Sequence, residues 1–262
     1  MNTPGPPPLV AEALSLGYDR RQVVHGVDLR VPTGRVTVVV GANGCGKSTL
    51  LRGLGRLLRP TSGRVTLGGE DVASLGARRL ASVLGLLPQQ PIAPEGITVG
   101  DLVGRGRYPH QGPFRRWTAD DTTIVAQALA ATGAQELAER RMEELSGGQR
   151  QRVWIAMALA QQPEVLLLDE PTTYLDVAHQ VEVLDLLAGL NRQRGTTVVM
   201  VLHDLNLAAR YGDHLVVMAE GRVLCEGHPN DVLTVETVRK AFGLESVVVP
   251  DPVTGGPLVV PA

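Results

Sequence analysis

The sequence predicts an α/β domain carrying a helical insert, and three observations support that expectation. Short apolar runs of strand length alternate with helical stretches. A glycine-rich loop, GANGCGKST, fills positions 41–49 between a valine-rich run and a helical one. A further apolar run, VLLLDE, ends in the adjacent acids Asp169 and Glu170. With 262 residues and 44% hydrophobic content, the chain can bury one substantial core. A single domain over 1–262 is expected, with its core at about 1–90 and 161–249, a helical segment at 91–160 and a surface tail at 250–262.

The opening part is β-rich, with strands expected near Val10 to Leu16 and Val27 to Val31. Arg35 to Val40, with its run of valines, predicts a buried strand leading directly into the glycine-rich loop. A helix is expected from Lys47 to about Leu58, ending before Pro60, and Gly63, Gly68 and Gly69 mark a small hairpin. Leu84 to Leu87 forms a short strand stopped by Pro88. From Pro91 to Ala160 strand-like runs give way to helical ones, including Ala119 to Ala131 and the stretch after Gly147. The core resumes at Val165 to Leu168, then a helix from Val177 to about Gln193, then the strand Thr196 to Leu202. Within that helix Val177, Val181, Leu184 and Ala188 share one face by their spacing. From Pro250 onward proline and glycine predict a surface extension.

Charge and composition exclude several classes. The net charge of −2 offers no basic field, so nucleic acid is not an expected partner. Cys45 and Cys225 lack paired spacing, which suits a reducing compartment without a disulfide framework. The segment MNTPGPPPLV has neither the basic region nor the apolar run of a signal peptide, so a cytoplasmic protein is expected. The apolar runs fall well short of the ~20 residues that a membrane-spanning helix needs. Any membrane role is therefore expected to come through another chain.

The loop at 41–49 is built for a polyphosphate. Gly41, Gly44 and Gly46 let the backbone curl so that N–H groups of Asn43, Cys45 and their neighbours point inward, toward a helix N-terminus that favours negative charge. Lys47 supplies a point charge for the β- and γ-phosphates, Ser48 a hydroxyl for Mg²⁺, and Thr49 backs it. At the end of VLLLD, Asp169 is placed to hold the Mg²⁺ shell and Glu170 to polarise a water as general base. A second glycine turn, LSGGQ, with Ser146, Gly147, Gly148 and Gln149, also leads into a helix. One nucleotide cannot easily use both helix N-termini of the same chain.

With these motifs in this order, the sequence resembles the ATP-binding cassette superfamily over nearly its whole length. The resemblance implies a P-loop NTPase (RecA-like) core with an N-terminal antiparallel β-subdomain and an inserted helical subdomain. It also implies ATP and Mg²⁺ as ligands, and a homodimer in which two copies pair head to tail. Ser146 and Gly148 would then reach the γ-phosphate bound by the other copy. By the same resemblance, Tyr18 would stack on adenine, although a lone tyrosine also suits simple packing. Gln89 would join Mg²⁺ and water to the transporter contact surface, with Gln90 beside it leaving some ambiguity. Asp176 would cross the dimer interface, and His203 would touch the γ-phosphate and orient the base.

Two stretches, TTYLDVAHQVEVLDLL at 172–187 and RGRYPHQGPFRRW at 105–117, resemble the importer branch that energises uptake of ferric siderophores, haem and vitamin B12. That branch implies integral-membrane permease partners, an extracytoplasmic binding protein acting indirectly, and a peripheral place on the cytoplasmic membrane face. Ferric siderophores are the expected cargo, with haem or vitamin B12 as the alternative. A soluble cassette ATPase, for example in iron-sulfur assembly, is the other class. Arg105, Arg107, Arg115 and Arg116 are either a solvated basic face or in part contacts to permease or lipid headgroups.

Overall fold

The structure, a computed structural model, describes residues 5–111, 117–173 and 175–262. Two long strands, β1 (Leu9–Tyr18) and β2 (Arg21–Val31), open the chain as an antiparallel pair. β3 (Val36–Gly41) follows, buried at every position as its valine run predicts. Next come α1 (Lys47–Leu54), the hairpin β4 (Ser62–Leu67) and β5 (Glu70–Asp71), α2 (Ala77–Val83) and β6 (Leu84–Leu87). The insert holds α3 (Val99–Gly104), a 3₁₀ segment at Arg105–His110, α4 (Ala119–Ala131) and α5 (Gly147–Ala160). The chain then forms β7 (Val165–Asp169), α6 (Val177–Arg194), β8 (Thr197–Val201) and α7 (Leu205–Tyr211). β9 (His214–Ala219), β10 (Arg222–Gly227), α8 (Pro229–Val232), α9 (Val235–Phe242), β11 (Ser246–Pro250) and β12 (Pro257–Pro261) complete it.

The strands form an antiparallel sheet, β2-β1-β4-β5, and a six-stranded sheet, β10-β9-β3-β8-β7-β6. In the latter all neighbours pair parallel except β10 with β9. Parallel pairing puts the carboxyl ends of β3, β6, β7 and β8 on one edge, so the loops that follow them meet there. Alternate residues of these strands feed opposite cores. Leu166, Leu168, Val198 and Met200 join Trp154 and Ile155 of α5 and Leu184 of α6. Val165, Leu167, Val199 and Val201 join Leu50, Leu51 and Leu54 of α1 and Leu14 and Leu16 of β1. α1 is therefore fixed by apolar contact to both sheets, and the loop at its N-terminus is fixed with it.

Several expectations are corrected. α1 stops at Leu54 rather than near Leu58, because Arg56 takes a left-handed φ of 58° and the N–H groups of Arg56 and Leu57 return to Gly53 and Arg52. That pairing is a Schellman stop, made without the usual glycine. α2 was not anticipated from the sequence. In α6 the buried face is Val183, Leu184 and Leu187, whereas Val177 is exposed. The surface tail at 250–262 contains a strand that the sequence did not suggest: β12 pairs with β11 in register, Val259 is buried, and Asn206 of α7 both donates to and accepts from its backbone. Arg107 is not part of a solvated face. It is buried against the equally buried Asp121, while Arg105 is exposed and Arg115 and Arg116 lie outside the described residues.

Candidate functional site

The 41–49 loop leaves β3 in a conformation that demands glycine. Gly41 has φ 155°, and a Cβ there would sit 2.3 Å from the Met218 carbonyl oxygen and 2.7 Å from Cys45 Sγ. Gly46, the N-cap of α1, has φ 105°. No side chain caps α1, so its first amides are left for a ligand. Lys47 is buried, yet among the described residues its Nζ meets no carboxylate within ion-pairing distance, and it donates to the carbonyls of Gly41 (2.8 Å) and Ala42 (3.1 Å). A buried cation held by carbonyl dipoles favours an anionic ligand. Cys45 lies beneath the loop, and burial pushes its thiol up despite the nearby Lys47 charge.

Across the sheet edge, Ser48 Oγ donates to Asp169 Oδ1 at 2.8 Å. The other Asp169 oxygen, Oδ2, is buried and has no hydrogen-bond partner among the described residues. Burial raises the Asp169 carboxyl above its usual range, Ser48 opposes this, and the Glu170 charge adds to it. The Asp169 carboxylate oxygen left over and the Ser48 hydroxyl bonded to its neighbour are a pair of hard donors suited to Mg²⁺. Among the described residues no group of three His, Cys, Asp or Glu side chains forms a protein-only metal centre.

Glu170 stands beside this pair with only 8% of its surface exposed and a left-handed φ of 55°. Its Oε1 lies 2.7 Å from His203 Nε2, and its Oε2 accepts from Gln89 Nε2 at 2.6 Å and from Thr173 Oγ1 at 3.0 Å. Three loops thus converge on one carboxylate, following β6, β7 and β8.

A cleft of about 860 Å³ is lined by Tyr18, Asn43, Gly44, Gly46, Lys47, Ser48, Thr49, Gln89, Glu170 and His203; Gly41, Cys45 and Asp169 are not among its lining residues, although Asp169 is hydrogen-bonded to Ser48. Tyr18 is 40% exposed, and its hydroxyl accepts from Arg52 Nη1 at 3.1 Å, so its ring stands open at the rim. Asp19, Arg21 and Val23 also line the cleft, and sequence reasoning missed them; their only signal was position, directly after Tyr18. Thr173 was missed too, although its place three residues after Glu170 signals a turn that bonds back.

The structure does not bring Ser146, Gly147, Gly148, Gln149 or Asp176 to this cleft. Ser146 caps α5 reciprocally with Gln149, accepting from its N–H at 3.2 Å while Gln149 Oε1 accepts from Ser146 N at 3.0 Å. Ser146 and Gly147 of this turn are exposed, and Gly148 and Gln149 are half-buried. Asp176 caps α6 through His179 N at 3.0 Å, its side chain also exposed. Gln151 of α5 donates to the Pro171 carbonyl at 3.0 Å, which ties the exposed turn's helix to the strand-end loop that carries Glu170.

A family model described as "ABC transporter" matches residues 24–173. The achromobactin transport ATP-binding protein CbrD of Dickeya dadantii is 51% identical over 97% of this chain and 94% of its own. The ferric enterobactin transport ATP-binding protein FepC of Escherichia coli is 48% identical over 97% of this chain and 93% of its own. Among solved structures, the dimeric bacterial ABC transporter cassette MJ0796 superposes with a TM-score of 0.76 at 28% identity, covering 84% of this chain and 98% of that one.

Proposed function

This chain belongs to the ABC transporter family, and from that premise we propose that it hydrolyses ATP in the cleft at 41–49 to drive import of a ferric siderophore through a separate permease. The observation that carries the reading is the convergence of a cation-bearing phosphate loop with Asp169 and a triply anchored Glu170 on one sheet edge. The cargo class is supported by relatives about half identical in sequence whose names specify achromobactin and ferric enterobactin transport.

In this reading the amides of the loop and of α1 hold the phosphates, and Lys47 exchanges its carbonyl partners for β- and γ-phosphate oxygens. Tyr18 stacks on the adenine from the rim. Ser48, Asp169 and Gln89 would hold Mg²⁺, which supplies charge neutralisation across the phosphates when bound. Glu170 orients the attacking water and takes its proton, while His203 fixes the carboxylate from its Oε1 side and reaches toward the γ-phosphate.

The exposed Ser146–Gln149 turn and Asp176 complete the site of a second copy rather than their own. Support for this comes from their absence from the cleft and from the dimeric state of the cassette MJ0796. ATP then closes the dimer and hydrolysis reopens it, which moves the permease between two states.

No helix among the described residues is long and apolar enough to cross a membrane. The chain is therefore proposed to work on the cytoplasmic membrane face, held there by permease subunits, with an extracytoplasmic binding protein delivering cargo. A groove lined by Ile97, Asp101, Arg105, Tyr108 and Trp117 is the proposed permease seat, because Tyr108 and Trp117 expose large rings there.

The test is uptake of labelled ferric siderophores, haem and cobalamin by iron-starved cells whose chromosomal copy carries Lys47→Ala, at matched protein level. Selective loss of a ferric siderophore is the expected result. Selective loss of haem or cobalamin would replace the cargo, and unchanged uptake in cells with no second cassette would overturn the importer reading.

A further inference from the structure

Glu170 is placed by more than its strand. It sits at the end of β7 with a left-handed φ of 55°, a conformation that side chains adopt only where the surroundings impose it. Within the chain, Thr173 contacts Glu170 twice. Its backbone N–H donates to the Glu170 carbonyl oxygen at 3.3 Å, closing a turn over Pro171 and Thr172. Its hydroxyl donates at 3.0 Å to Oε2 of the same glutamate. One residue thus holds both the main chain and the carboxylate of Glu170.

The two halves of that carboxylate are held differently. Oε1 faces His203 at 2.7 Å, and Oε2 is shared between Gln89 at 2.6 Å and Thr173. Gln89 follows β6 and His203 follows β8, so both ride on loops of their own, whereas Thr173 is tied to Glu170 by three peptide units. The turn is itself anchored from two helices. Gln151 of α5 donates to the Pro171 carbonyl at 3.0 Å, and Gln180 of α6 donates to the carbonyls of Thr172 at 3.4 Å and Leu175 at 3.1 Å. Thr173 is half-buried and lines a small pocket that also holds Glu170, His203 and Gln180, next to the main cleft.

We propose that Thr173 is a positioning residue for hydrolysis: its hydroxyl fixes the rotation of the Glu170 carboxylate, so that one oxygen lone pair stays directed at the attacking water when Gln89 turns toward the metal and water. The inference rests on the reading of Glu170 as general base. A carboxylate free to rotate still accepts a proton but spends less time in the reactive geometry, which lowers turnover without weakening nucleotide binding. Thr173 has no place in the main cleft, so loss of its hydroxyl leaves the phosphate loop and the adenine rim intact.

The test uses the full chain with steady-state ATP hydrolysis, MgATP binding and thermal melts on Thr173→Val, Thr173→Ser and, as a control, Glu170→Gln. Thr173→Val keeps the shape and removes the donor, and loss of one such hydrogen bond in the transition state lowers kcat about tenfold. KM for MgATP stays within about twofold, and Thr173→Ser restores most of kcat. Should Thr173→Val prove unstable in the melt, Thr173→Ala assayed beside Thr173→Ser gives the same contrast. Wild-type kcat without the hydroxyl overturns the proposal. So does an equal loss in the serine variant, or a change confined to KM. If Glu170→Gln itself turns over ATP normally, the base assignment fails; if only Glu170→Gln is inactive, the base stands and the role of Thr173 falls.

Discussion

Arg107 and Asp121 make the sharpest stability prediction in the molecule. Their side chains are 5% and 0% exposed, and Arg107 Nε donates to Asp121 Oδ1 at 3.0 Å. Arg107 Nη1 also donates to the Ala160 carbonyl at 2.7 Å and to Gln162 Oε1 at 3.2 Å, which satisfies the C-terminal end of α5. Asp121 Oδ2 accepts from Thr118 N at 3.1 Å and Thr118 Oγ1 at 2.9 Å, closing the capping box of α4. The pair therefore pins the 105–110 segment between α4 and α5. Arg107→Met strands a buried carboxylate, and breaking such a pair costs about 3–5 kcal/mol. Against a total of roughly 5–15 kcal/mol, that loss is a large share. For a chain of this size it lowers Tm by about 6–20 °C.

Replacing both partners, as Arg107→Met with Asp121→Leu, leaves no stranded charge and sacrifices the Asp121 contacts of the helix cap and the Arg107 hydrogen bonds to Ala160 and Gln162, about 1 kcal/mol each. The double variant is thus expected to be more stable than Arg107→Met alone. Urea melts of both variants and of Asp121→Leu, with the slope checked for two-state behaviour, measure the coupling. The pH dependence follows the same logic. Burial pushes the Asp121 carboxyl up, but the hydrogen bonds from Arg107 and Thr118 together outweigh it and hold the group below its ordinary value. Its contribution is present above the unfolded value of about 4 and is lost as pH falls below that. The double variant lacks this part of the acid limb. A loss under about 1 kcal/mol in Arg107→Met, or a double variant that loses the sum of the singles, would refute the reasoning.

Asp169→Asn is expected to stabilise the nucleotide-free protein at neutral pH while abolishing hydrolysis. The native carboxyl is raised by burial, so ionising it costs stability progressively as pH rises above about 4, and calorimetry against pH reads the difference. Glu170→Gln should keep MgATP affinity and lose about 10²–10⁴ in kcat, measured by phosphate release beside equilibrium binding. Leu167→Ala removes a fully buried side chain between β7 and α1 and should cost about 2–5 kcal/mol in urea melts.

Much of the site could be read from the sequence, because its chemistry is local in the chain. The 41–49 loop, proposed to hold phosphate, needs glycines at fixed offsets and a lysine one residue past the last of them, and Asp169 ends, and Glu170 directly follows, a strand whose burial the leucines announce. The parallel core was legible for the same reason: both faces of β3, β7 and β8 are covered, so the strands read as unbroken apolar runs. What escaped depends on contacts distant in sequence. The β12 strand reads as a proline- and glycine-rich tail until β11 and α7 are beside it. Arg107 reads as one of four surface arginines until Asp121 arrives from the next helix. α6 carries apolar residues on more than one side, so its spacing alone could not select the Val183, Leu184 and Leu187 face over the exposed Val177. The turn at Arg56 escaped because its left-handed residue is not a glycine.

Mixing two inactive variants tests the central claim most directly. Lys47→Ala removes the phosphate-loop charge and Ser146→Arg obstructs the exposed turn of α5, and each alone should be inactive in ATP hydrolysis. If each site is built from the loop of one copy and the turn of the other, a mixed dimer holds one intact site, and combining the two proteins restores hydrolysis. Activity in Ser146→Arg alone, or no recovery in a mixture shown to contain mixed dimers, would contradict a site shared between two copies.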